Sequence, residues 1–373
     1  MFEGLRPSTA PDKGHRMSYL TRRRMAAAAL SAGVAIALVQ ACAGSSAIAA
    51  NPAPQTTDGT AVVFVANPVQ STGIQTLTDQ KDSASAVPAA AYIPVTLHDL
   101  DGSGFLRGTW ANIRNETGNP AFSATNTFRY DRHDDRFEQV MGYFWITEAQ
   151  RYLRGLGFTG QPGQLREVNA ESQDLRINQW GQDNSFSWDR HDLIKLGKGG
   201  VDDAEDGEVI VHEYGHAVHD AQVPGFGTSV EAGSIGEGFG DYLAVTVGLH
   251  VAGQLGVPVL GPPACVADWD SVSYTSREPH CLRRVDTNKT YPNRVDEVHA
   301  DGEIWSRALW DIRSTLGPTV ADRIIIEAQF DFAPDTSFHD AALATIATAG
   351  ELAGPAAADV VRQAFEDRAI PGI

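Results

Sequence analysis

The chain has 373 residues, 42% of them hydrophobic, and a formal net charge of −18 at pH 7. That length suits one large domain or two smaller ones, and the negative charge excludes nucleic acid and anionic membrane surfaces as natural partners, because both carry the same sign. Setting aside the first 42 residues leaves 23 basic against 45 acidic side chains, so the body is more acidic still.

Residues 1–50 read as an export signal. "TRRRM" supplies a basic start, and the 15-residue apolar run "MAAAALSAGVAIALV" is too short to span a bilayer comfortably but right for a signal core. Arg22 and Arg23 behind Thr21 resemble a twin-arginine signal. Small residues at Ala47 and Ala49 offer a cleavage site. Cys42, after "VQA", offers lipid attachment as the alternative, and Met17 competes with Met1 as the start. A secreted or cell-surface location follows. Cys265 and Cys281 then remain in an exported chain, which predicts a disulfide.

Residues 51–91 are rich in Ala, Ser, Thr, Pro and Gln and read as a leader, linker or short pro-segment, although "AVVFVA" and "YIPVTL" alternate as strands do. "FEQVMGYFWITEAQRYLRGLGF", from Phe137, has helical spacing and stops at Gly155 and Gly157. "DLRINQW" and "NSFSWDRHDLIKLG" read as strands. The run Asp202, Asp203, Glu205 and Asp206 reads as a helix-capping or solvated cluster, with calcium as its alternative. A helix is predicted over Glu208 to about Ala221, a second from near Ser234, and four more beyond His299. Strands come first and helices later. The prediction is an α+β fold of two lobes, 92–222 and 223–373, with a site between them.

That site is carried by "VIVHEYGHAVHD", Val209 to Asp220. His212 and His216 stand four apart and share one helix face, so both imidazoles can hold one zinc ion, while Glu213 between them reaches water. A catalytic zinc takes three protein ligands and keeps one position open. The pattern H-E-x-x-H-x-x-G-x-x-H is excluded, because His219 stands at its glycine and Gln222 at its last histidine. His219 is therefore a packing or surface residue. "GSIGEGFGDYLA" supplies Glu237 as the third ligand, and Asp241, one turn on, is placed to accept the free N–H of a ligand histidine.

"HEYGHAVHD" followed by "GEGFGDYLA" resembles the thermolysin-like and fungalysin-like zinc endopeptidases, which are gluzincins. The resemblance covers roughly residues 92–373. It implies a two-lobed metallopeptidase fold and a single catalytic zinc on His212, His216 and Glu237, with Glu213 as general base. "DNSFSWDRHDLIKLGKGG" resembles the family's active-site edge strand, so Asn184, Ser185 and Phe186 are expected to bind substrate. "EVHADGEIW" resembles the segment with an oxyanion-stabilising histidine, which maps to His299, with Asp296 to orient it. "CLRRVD" resembles a segment with a substrate-positioning arginine, taken as Arg283. The tyrosine that thermolysin-like enzymes often place after the zinc helix is missing from "AQVPGFGTSVEAGSIG", and Tyr214 should face elsewhere.

The expectation is an exported metalloendopeptidase acting as a monomer on protein or peptide substrates, with no nucleic acid and no integral membrane partner. The alternative is a catalytically inactive peptidase-fold protein that captures peptides in its cleft. Glu213 argues against it, since a scaffold that merely holds metal needs no base there.

Overall fold

The structure, a computed structural model, describes residues 56–114, 119–178 and 181–373. The export signal, Cys42 and both candidate starts lie outside the described residues. The first half of "AVVFVA" closes β1 (Thr57–Val63), where alternation turns Ala61 and Val63 fully inward. β1 pairs antiparallel with β2 (Ile93–Leu100), Val63 facing Ile93 and Ala61 facing Val95. On its other side it pairs in parallel with β4 (Thr127–Phe128). Part of residues 51–91, expected as a leader, linker or short pro-segment, thus lies within the folded unit. β1 is the middle strand of a sheet, and Phe64 and Val69 are completely buried. The composition hid this because the burial comes from pairing with a distant segment.

The second sheet has the order β3 (Ala111–Ile113), β5 (Gln173–Arg176), β7 (Leu193–Lys195), β6 (Phe186–Trp188). β6 runs antiparallel to β7 and forms an edge among the described residues. α1 (Pro68–Thr72) follows β1, and α2 (Arg136–Gly155) ends at the predicted glycine, with almost every side chain from Phe137 to Leu153 buried.

From residue 207 onward the chain is mainly helical. α3 (Gly207–Gln222) starts where the Asp206 carboxylate accepts the Glu208 N–H. α4 (Val230–Leu255) begins before the predicted Ser234, because Ser229 caps it by accepting the Ala232 N–H. α5 (Val298–Leu316), α6 (Pro318–Gln329), α7 (Phe338–Ala353) and α8 (Pro355–Glu366) complete the fold. The architecture is α+β, strand-rich first and helical later. Pro52–Ile373 forms one compact unit, whose main apolar cluster runs from Ala61 to Ile370, with a smaller one around Val245, Val266 and Val285. The passage from strands to helices thus falls at residue 207, where α3 begins, inside one compact unit. Cys265 and Cys281 form a disulfide, which braces the ribbon of β8 (Cys265–Val266) and β9 (Arg283–Arg284). Among the described residues no helix is long and apolar enough to cross a membrane.

α3 and α4 cross where Gly215 meets Gly240. A Cβ on Gly215 would come within 2.9 Å of the Gly240 Cα, and one on Gly240 within 2.8 Å of the His212 Nδ1. Only a residue without a side chain lets the two backbones approach this closely, and that approach sets Glu237 opposite the two histidines.

Candidate active site

Ile210 and Val211 anchor α3 in the core with no exposed surface, which turns His212 and His216 toward a cleft. Their Nε2 atoms lie 3.2 Å apart. From α4, Glu237 brings Oε2 to 3.4 Å from the His212 Nε2 and Oε1 to 3.6 Å from the His216 Nε2. A tetrahedral zinc with bonds of about 2.0–2.1 Å requires ligand atoms about 3.3–3.4 Å apart, so the three donors fit that ion. Two imidazoles and one carboxylate also make the open, three-ligand set of a catalytic rather than a structural site. The buried Glu237 Oε2 has no hydrogen bond of its own among the described residues, as a ligand oxygen should.

Behind this triangle, Asp241 is completely buried. Its Oδ1 lies 2.9 Å from the His212 Nδ1, which leaves Nε2 for a metal. Arg283 donates to both oxygens of Asp241, each bond 2.7 Å long. The structure thus engages the arginine expected to position substrate with Asp241, although it also borders the cleft.

Burial alone would lower the His212 imidazole, but Asp241 and Glu237 raise it to about 10. Burial lowers His216 to about 4. For Glu237 burial acts upward, yet the two histidines and Arg283 outweigh it and hold the carboxyl well below the usual range. Glu213 is pushed up to about 7, first by burial and then by the Glu237 charge, while His212 and the Ser187 backbone N–H pull it down. A buried carboxyl near neutrality suits a group that takes up and releases a proton.

His299, in the first turn of α5, brings Nε2 to 3.5 Å from the Glu237 Oε2 and remains half exposed. Its Nδ1 bonds Glu297 at 2.7 Å, not Asp296, the residue expected to orient it. The reason is helix capping. Glu297 is the N-cap of α5, and its carboxylate also accepts the His299 and Ala300 N–H groups. Asp296 sits one residue outside, at φ 58°, and its N–H donates to Asp301.

Asn184, Ser185 and Phe186 border the same cleft, where β6 presents its open edge. The Ser185 hydroxyl donates to Asp203. Tyr214 points away, its hydroxyl donating to Gln150. His219 is 1% exposed and stacks on Phe226 at 4.2 Å. Burial drives its imidazole down to about 3, so it is a packing group.

The acidic run departs from the solvated cluster predicted for it. Asp206 caps α3, but all four members are buried. Glu205 takes both of its oxygens to the Arg132 Nε and accepts from the Trp269 indole. Among the described residues, three groups of acids converge with ligand atoms within 4.8 Å: Asp135, Glu138 and Asp202; Asp183, Asp203 and Asp270; and Asp206, Glu208 and Asp268. Sequence reasoning passed over Asp270, Tyr274 and Glu297. The first two come to the cleft from a loop that carries no motif. Glu297 could have been found from its place two residues before His299, at the start of a helix.

Residues 186–320 match the family model described as Fungalysin metallopeptidase (M36). The chain is therefore similar to the fungalysins in the stretch that carries the motifs, and the match supports a metallopeptidase. A search of curated proteins finds no match. Among solved structures, the precursor of protealysin, a metalloproteinase from Serratia proteamaculans, aligns at 16% identity with a TM-score of 0.48, covering 64% of this chain and 80% of that one.

Proposed function

On the premise of a fungalysin-like stretch over residues 186–320, we propose that the protein is an exported zinc metalloendopeptidase. The observation that carries this reading is the ligand triangle of His212, His216 and Glu237, with Glu213 in the same cleft. Zinc in that donor set supplies a Lewis acid for a scissile carbonyl and for water. Glu213 takes the proton from the attacking water and passes it to the leaving amine. His299, steadied by Glu297, donates to the oxyanion as charge develops. Asp241 and Arg283 keep His212 in one tautomer and orientation. An extended substrate adds to the open edge of β6 through backbone pairing, which lays its peptide bond beside Glu213. The short apolar run of the N-terminus supports export, and a monomer suffices, because every group named comes from one chain.

The test is casein hydrolysis by the mature protein, with metal content measured in parallel. Hydrolysis should stop with a chelator and return with zinc at one equivalent. Hydrolysis that survives complete metal removal overturns the reading, as does a zinc-loaded protein that cleaves nothing.

A further inference from the structure

The cleft is a cavity of about 530 Å³, and its lining reaches well past the metal ligands to Asp203, Asp270 and Tyr274. Asp203 comes from the turn before α3, and Asp270 from the loop after β8. With Asp183 they bring three carboxylate oxygens within 4.8 Å of one another. Two of these groups are buried, Asp203 at 2% and Asp270 at 3% exposure. Some of the oxygens are satisfied: the Ser185 hydroxyl donates to the Asp203 Oδ2, and the Tyr274 hydroxyl to the Asp183 Oδ1 at 2.6 Å. The Oδ1 atoms of Asp203 and Asp270 have no hydrogen-bond partner among the described residues. Arg283, the cation whose charge bears on Asp270, is already committed to Asp241. Lys195 lies over the rings of Phe186 and Trp188.

Buried carboxylates that repel one another and lack partners call for a cation. Burial, followed by neighbouring acids, drives the Asp270 carboxyl well above its ordinary range, and burial lifts Asp203 to about 7. The acids lie close enough to the reacting centre for the Asp203 charge to act on Glu213. Asp203 and Asp270 both line the cavity that holds Glu213, which favours a cation delivered by substrate. We infer that Asp203 and Asp270, with Asp183 behind them, form the subsite for a lysine or arginine side chain adjacent to the scissile bond, which makes peptides with a basic residue there the preferred substrates. This rests on the peptidase reading of the same cleft. A guanidinium or ammonium supplies the missing donors through charge-assisted bonds, and the acidic body steers such substrates inward.

The experiment uses two quenched-fluorescent hexapeptides that differ only at one central position, arginine against the uncharged norleucine. The parent should favour the arginine peptide in kcat/KM by at least about tenfold, and Asp270→Asn and Asp203→Asn should each shrink that ratio by about tenfold. A parent ratio near one, or a ratio that survives both substitutions, overturns the inference. Binding of the same peptides to Glu213→Gln is measured by calorimetry. If the parent cleaves nothing, the peptidase reading fails, while this arm still decides the subsite: tighter binding of the arginine peptide that Asp270→Asn abolishes supports it, and equal binding overturns it. Calcium chloride is titrated separately. Stoichiometric calcium uptake that Asp270→Asn abolishes, with no arginine preference, identifies a metal site and overturns the inference.

Discussion

Arg283 grips both oxygens of Asp241, and the same carboxylate holds the His212 Nδ1. A residue on the disulfide-braced ribbon thereby fixes the orientation of a proposed ligand on α3. Asp241→Asn should lower zinc affinity by about 10–100-fold. Arg283→Met should weaken it as well, because it leaves the Asp241 charge buried with only His212 to answer it. Competition against a chromophoric chelator measures both. Parent affinity in both variants would mean that this layer does not act on the metal.

Glu213→Gln keeps the shape of the side chain but not the base. Its zinc content should remain at one equivalent, and its turnover of a peptide substrate should fall by about 10²–10⁴-fold. Peptide cleavage at the parent rate would remove Glu213 from the mechanism.

Glu237→Ala leaves two imidazoles, which hold zinc poorly, so metal content and activity should fall together. His219→Ala serves as the control. It removes a ring stacked on Phe226, so the thermal midpoint should drop through lost packing while zinc is retained. Elemental analysis after gel filtration should rank zinc loss as Glu237→Ala, then Asp241→Asn, then His219→Ala. The opposite ranking would remove Glu237 from the ligand set.

Asp268 is buried beside Asp206, and burial followed by the Asp206 charge raises its carboxyl to about 8. Its folded value therefore lies above the unfolded value of about 3.9, and the folded state binds the proton more tightly. Its contribution to stability is complete below about pH 4 and is lost as pH rises toward about 8. Glu205 and Asp202 act in the same direction, raised to about 8 and about 7 by burial before any other cause. The thermal midpoint should fall between about pH 5 and about pH 8, and Asp268→Asn should flatten that slope. An identical slope in the variant would show that Asp268 does not titrate in this window.

What was legible in the sequence follows from the range of the interactions. His212 and His216 are four residues apart on a helix that the apolar "VIV" and the acids before it announce, so their shared face follows from helix geometry alone. Glu237 needed only a second helix of the same kind. The role of β1 was hidden because its partners are β2 and β4, and composition says nothing of pairing at that distance. Glu297 displaced Asp296 through a capping geometry that depends on where α5 begins. The commitment of Arg283 to Asp241 and the meeting of Asp203 with Asp270 are tertiary events, and the chain carries no local mark of either.

The contact between Gly215 and Gly240 has a consequence for how mutations in this protein will be read. Gly240 offers no chemistry, yet a methyl group there would press on the His212 ring and tilt one proposed ligand away from the others. A mutational scan scored by activity would register Gly240 alongside Glu237 and Glu213, although nothing at position 240 touches substrate. At the proposed zinc site, metal affinity would thus be written partly into a residue whose contribution is empty space, and graded substitutions there would tune it without altering a single donor atom.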